Sequence, residues 1–107
     1  RNFQDDATKK HEPSKDALER LIGNAVKFKK FLDARKVCLV ITVIPSTTIS
    51  SNPGKKIAGA LNVPFILPKV KNLSYLYGNH LDEAGASVWS SDFFEKFDKL
   101  NLNCTTH

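Results

Sequence analysis

The side chains able to do chemistry in this 107-residue chain are three histidines, two cysteines, a hydroxyl-rich stretch and scattered lysines. His80 stands in the most distinctive segment, Tyr75-Leu76-Tyr77-Gly78-Asn79-His80-Leu81-Asp82-Glu83-Ala84-Gly85-Ala86. A neutral imidazole can take a proton near physiological pH, so a histidine in such a block can serve as general base toward a hydroxyl. The plainer alternative is a histidine that caps a helix or bonds a backbone carbonyl at a loop-to-helix junction. His11 and His107 lie in terminal segments with no ligand partners at metal spacing, which predicts exposed rings and no metal site.

Ser46, Thr47, Thr48, Ser50 and Ser51 follow directly on an apolar run. In open α/β sheets ligands bind beyond the carboxyl ends of the strands, so Ser46 and Thr47 are expected substrate contacts. The competing reading is a polar surface loop. Asn52-Pro53-Gly54-Lys55-Lys56 opens a helix whose amides could hold an anion, yet it lacks the Gly-x-x-x-x-Gly-Lys-Ser/Thr pattern of a phosphate loop. Cys38 falls in the apolar run and Cys104 in the tail. Two free thiols are expected, because a disulfide needs the tail to fold back over the sheet. The sequons Asn72-Leu73-Ser74 and Asn103-Cys104-Thr105 tilt the expectation toward a secreted or extracytoplasmic origin.

The elements that must position these groups read as follows. Residues 1–13 are a polar lead-in. Ser14 is placed to cap a helix over residues 15–35, in which Leu18, Leu21, Ile22, Ala25, Phe28 and Leu32 recur at three- and four-residue steps. That face, with Phe31, is expected to pack on the following strand. Val37 to Ile44 is nearly all apolar and β-branched, the pattern of a parallel-sheet strand covered on both faces, and Pro45 ends it. Residues 55–61 suggest a short helix stopped by Asn62, residues 63–67 a second strand, and residues 69–80 a loop. A last helix over residues 83–100 puts Ala86, Trp89, Phe93, Phe97 and Leu100 on one face. The order predicts one small α/β domain over residues 14–101, with a tail from 102 to 107. Two strands make a very small sheet. Either a third strand lies in residues 1–13 or 69–77, or the chain is the C-terminal half of a larger domain; the second is favoured.

Composition is that of an ordinary globular chain, 41% hydrophobic and 25% charged, which argues against disorder. Two cysteines exclude a disulfide-dense scaffold. No apolar run approaches the ~20 residues of a membrane span. The net charge of +5 is uneven: residues 1–36 hold ten Lys+Arg and six Asp+Glu, net +4. A nucleic-acid partner is disfavoured, because no zinc-finger spacing, Arg-Gly repeat or aromatic RNA-binding strand accompanies the charge. An amphipathic membrane-surface helix would need the apolar face of residues 15–35 to be exposed.

The block around His80, with its His80-Leu81-x-x-x-Gly85 core and the terminal helix behind it, resembles the last conserved block of SGNH-type (GDSL-like) esterases and acyltransferases. The likeness covers roughly residues 15–100 and includes the element order. It implies a flavodoxin-like or SGNH-like layered parallel sheet, here a partial domain, and makes His80 the general base of a serine nucleophile. In the family an Asp stands three residues before the histidine; here Tyr77 holds that position and could orient the ring at most. Asn79, next to His80, joins Ser46 and Thr47 as a substrate contact. The Gly-Asp-Ser nucleophile turn, the oxyanion glycine and the Gly-x-Asn-Asp segment are absent from this sequence. No Gly-x-Ser-x-Gly elbow replaces them. A fragment, one chain of a cleaved pair, or a non-catalytic relative would each account for this. The implied partners are a small ester or acylated glycan and a second chain completing the sheet, with no metal or organic cofactor. The alternative function is a non-catalytic binding or interaction domain of the same topology, with a basic nucleic-acid-binding module as the less favoured third reading.

Overall fold

The computed structural model describes residues 11–46, 49–77 and 80–102. Helix α1 runs Lys15–Ala34, and Ser14, in extended backbone, accepts from the Ala17 amide at 3.1 Å. This satisfies one of the orphan donors of the first turn, as the position of Ser14 predicts. The helix ends on Lys36 in left-handed backbone, φ 59°. Lys36 N donates to Asp33 O at 3.1 Å and Val37 N to Leu32 O at 3.0 Å, the paired bonds of a Schellman ending. Arg35 adds a bond from Nη1 to Phe31 O at 3.0 Å and lays its guanidinium 3.5 Å from the Phe31 ring centroid.

Strand β1 (Ile41–Thr42), helix α2 (Asn52–Leu61) and strand β2 (Phe65–Ile66) form a parallel pair with a helical crossover. The register sets Ile41 opposite Phe65 and Thr42 opposite Ile66. Ile41 N donates to Pro64 O at 3.0 Å, and Thr42 Oγ1 to Ile66 O at 2.7 Å. Only two residues of the expected Val37–Ile44 strand are in the ladder, and none of the eight is buried. Val37 and Ile44 are 47% and 57% exposed. The expectation of a strand covered on both faces is therefore corrected. Among the described residues β1 has β2 as its sole strand neighbour, so a run suited to a sheet centre lies at an edge.

Helix α2 begins three residues before the expected start, because Pro53 has the backbone angle and the missing donor that a first turn accommodates. Asn62 ends it in left-handed backbone, as expected. Gly54 lets this helix approach β1 and β2: a Cβ there would meet Val43 Cγ2 at 2.5 Å and Phe65 Cε1 at 3.2 Å.

The expected loop 69–80 contains a hairpin instead. Strands β3 (Tyr75–Tyr77) and β4 (His80–Leu81) pair antiparallel, with an irregularity between Tyr75 and Tyr77. A strand does lie within 69–77, but in a second sheet, not beside β1. Helix α3 (Glu83–Leu100) matches its expected bounds, is capped by Asp82, and ends on left-handed Asn101. Along it Trp89 and Phe93 stack at 5.5 Å, Phe93 and Phe97 at 6.2 Å, and Phe94 meets Phe93 edge-on at 5.2 Å.

The architecture is mixed α/β with two small sheets. Its buried apolar residues, among those described, are Ala58, Leu61, Ile66 and Trp89, drawn from α2, β2 and α3. The molecule is 17 Å across its thinnest direction, which two layers spaced about 10 Å apart account for. Helix α1 packs chiefly on α2. Val26, Lys29, Lys30 and Asp33 face Ala60 and Leu61 across a crevice between the two helices. Leu21, Phe28 and Phe31 are 47%, 53% and 51% exposed, so the expected burial of this face on the strand is also corrected.

Two smaller expectations change. Residues 11 and 12, placed in the lead-in, are docked: His11 bridges Ile49 in parallel, and its carbonyl accepts from Ser50 N at 3.1 Å. Cys38 is disulfide-bonded, not a free thiol; Cys104 lies outside the described residues.

Candidate functional site

His80 is exposed on β4, where it pairs across the hairpin with Tyr77. Its mount is built by Ser74 and Asp82. Asp82 N donates to Ser74 O at 3.1 Å, and Ser74 Oγ donates to Asp82 Oδ1 at 3.0 Å. The same Oδ1 accepts from Gly85 N at 2.7 Å, capping α3. A Cβ on Gly85 would collide with the Ser74 carbonyl oxygen and press on Leu81 Cδ2 at 3.2 Å. The glycine of the His80-Leu81-x-x-x-Gly85 pattern is thus required by close approach: the first turn of α3 sits directly on Ser74, the residue that leads into β3. Asp82, the carboxylate two residues after His80, is committed to the cap through Oδ1.

At the carboxyl end of β1 and β2 lies a cavity of about 180 Å³, bordered by Val43, Ile44, Pro45, Ser46, Ile49, Ser51, Leu67, Pro68 and Trp89. Ser46 is where the strand-end rule expects a ligand contact, and its Oγ accepts from Ile49 N at 3.1 Å. Thr47 and Asn79 lie outside the described residues, as does the side chain of Tyr77. His80 does not border this cavity, so the structure does not bring Ser46 and His80 into one pocket. Trp89 was read in the sequence as a core residue only; it also walls the cavity. Its indole Nε1 is closed off from solvent and has no hydrogen-bond partner among the described residues.

Glu12 is a further residue the sequence reading passed over. Its Oε2 accepts from Asn52 Nδ2 at 2.9 Å, and it takes a hydrogen bond from the buried Ser50 hydroxyl. These bonds, with Lys56 nearby, hold its carboxyl below the ordinary glutamate range. Helix α2 has no acid in its own first turn, and Glu12 supplies a carboxylate at that end from outside the helix. Nothing in the local pattern around Glu12 signals this, because the contact spans forty residues.

A larger cavity, about 390 Å³, lies at the amino ends of the strands, with Lys29, Lys36, Cys38, Asn62 and Pro64 among its walls. Among the described residues no group of three His, Cys, Asp or Glu could hold a metal ion, and no helix is long and apolar enough to cross a membrane. Compared with family models, curated proteins and solved structures, the chain matches none.

Proposed function

We propose that this chain is the C-terminal, base-bearing portion of an SGNH-like ester hydrolase or acyltransferase, completed by a serine nucleophile outside these 107 residues. The observation that carries the reading is the mount of His80: an exposed imidazole on a hairpin locked by Ser74 and Asp82 to the start of the terminal helix. A base must be held within reach of the hydroxyl it deprotonates, and a strand pinned on both sides does this better than a free loop. His80 would take the serine proton as the oxygen attacks an ester carbonyl, then return it to the departing alcohol. The parallel β1–α2–β2 unit is the kind of piece from which a flavodoxin-like layered sheet is assembled, and that finer fold belongs to the same proposal. Ser46, Thr47 and Asn79 would contact a small ester or acylated glycan. Tyr77 would orient the ring at most.

A second reading, a non-catalytic binding domain, is favoured by Tyr77, which stands three residues before His80 where the SGNH-type pattern has its Asp. One experiment separates the two. Intact mass spectrometry of the natural protein is taken before and after a fluorophosphonate probe. A single adduct on a heavier parent or a co-purifying chain, abolished by His80→Ala, supports the hydrolase. No adduct on any associated chain leaves the binding domain.

A further inference from the structure

We infer that the solvent-facing side of α1 is an attachment surface for anionic lipid bilayers. At about 100° per residue, Leu21, Phe28 and Phe31 fall on the side of the helix opposite Val26 and Asp33, which line the crevice with α2. All three are about half exposed, so neither α2 nor β1 covers them. Leu18, Ala25 and Leu32 continue the apolar arc on one side and are half-buried.

Charge is sorted in the same sense. Residues 15–36 carry seven Lys+Arg against three acids, Asp16, Glu19 and Asp33. Glu19 and Asp33 fall on the half of the helix turned away from the phenylalanines, and Asp33 is paired with Lys29 at 2.8 Å, while Asp16, in the first turn, lies about 60° round from Phe31 on the side of Lys27. Arg20 and Lys27 border the exposed row, and Arg35 lies over the Phe31 ring. An apolar face with phenylalanine and leucine, bordered along one edge by Arg20 and Lys27, on a helix of net positive charge fits the boundary between acyl chains and anionic headgroups. The long cationic side chains can reach the headgroups while their stems stay on the apolar side. A nucleic acid would use the cations and leave Leu21 in water, so it fits the surface less well. The inference does not depend on the chemistry of His80.

The test is co-sedimentation of the natural protein, together with any chain it co-purifies with, with vesicles of phosphatidylcholine alone or with about one-third phosphatidylserine. Binding to the mixed vesicles that weakens with salt is expected, with little to the neutral ones. Phe28→Ser with Phe31→Ser should abolish it, and Arg20→Glu with Lys27→Glu should weaken it by roughly tenfold or more. These side chains are exposed, and far-UV circular dichroism checks that each variant stays folded. No sedimentation with mixed vesicles, equal binding to both kinds, or an unaffected double-serine variant overturns the inference. So does a lipid-free oligomer that the double-serine variant converts to monomer, because the face would then be a protein interface.

Discussion

The carbonyl oxygen of Ser74 occupies the space that a Cβ on Gly85 would need. The obstacle is backbone, and Ser74 O is also the acceptor for Asp82 N, so it cannot move without opening the hairpin junction. Gly85→Ala is expected to cost about 2–3 kcal/mol, more than the helix propensity of alanine returns. Asp82→Ala should cost about 1–2 kcal/mol through the lost cap. Urea denaturation followed by circular dichroism measures both. A Gly85→Ala protein as stable as the parent would contradict the close approach of α3 to Ser74.

The pH dependence of stability should carry the mark of two carboxylates. Glu12 is lowered from 4.5 by Ser50, Asn52 and Lys56. Asp92 is lowered from 3.8 by Lys96 at 3.0 Å, with further help from the Lys69 amide at 3.1 Å. A group whose folded pKa lies below its unfolded value contributes fully above the unfolded value, and loses that contribution as pH falls through the folded one. Stability should therefore fall on the acid side, beginning near the unfolded values. Glu12→Gln and Asp92→Asn should each flatten that limb and leave the neutral-to-basic range without a new slope. Denaturation midpoints measured from neutral to strongly acidic pH decide it.

Among the described residues Trp89 combines the largest buried side chain of the small core with an indole donor that has no partner. Leaving a buried donor unmade costs about 1–3 kcal/mol, which offsets part of what the ring contributes. Trp89→Phe removes that donor and keeps an aromatic ring beside Phe93, so it should change stability by about 1 kcal/mol or less. Trp89→Ala should cost about 3–5 kcal/mol. Equal losses in the two variants would mean that the indole N–H is satisfied in solution.

Lys36 holds left-handed backbone at the end of α1 without being glycine or asparagine. Lys36→Gly is expected to stabilise the protein by about 0.5–1 kcal/mol by relieving that conformation. A neutral or destabilising result would show that its side chain contributes more than the backbone costs.

What could be read in the sequence was whatever depends on neighbours within one turn. Ser14 as cap, Asn62 as stop, the 83–100 helix and the parallel sense of the pair all rest on local spacing or on the helix that joins the two strands. What could not be read depended on distant partners. The apolar run from Val37 to Ile44 announces a strand that wants two neighbours, but periodicity says nothing of how many it obtains. The apolar stripe of α1 is equally legible, whereas its choice of α2 over the strand is set by the path of the chain between residues 35 and 41. Tyr75 and Tyr77 are good strand formers, yet the short run around them reads as a loop until β4 is placed beside it. The disulfide of Cys38 is a further long-range fact of this kind. At the candidate site, His80 and Ser46 were named from local pattern, while their separation into different regions is a property of the packing.

The single-sided ladder of β1 has a consequence for how this protein behaves in quantity. Among the described residues no strand pairs with the second edge of β1, and the uncharged, proline-free run from Val37 to Ile44 around it lacks the lysines that usually discourage another strand from docking there. At high concentration that edge invites edge-to-edge recruitment of other molecules, and the recruited strand exposes a fresh edge in turn. Solubility would then be governed by this eight-residue segment more than by net charge. A single lysine at Val40 would act as a gatekeeper, raising the concentration at which turbidity begins.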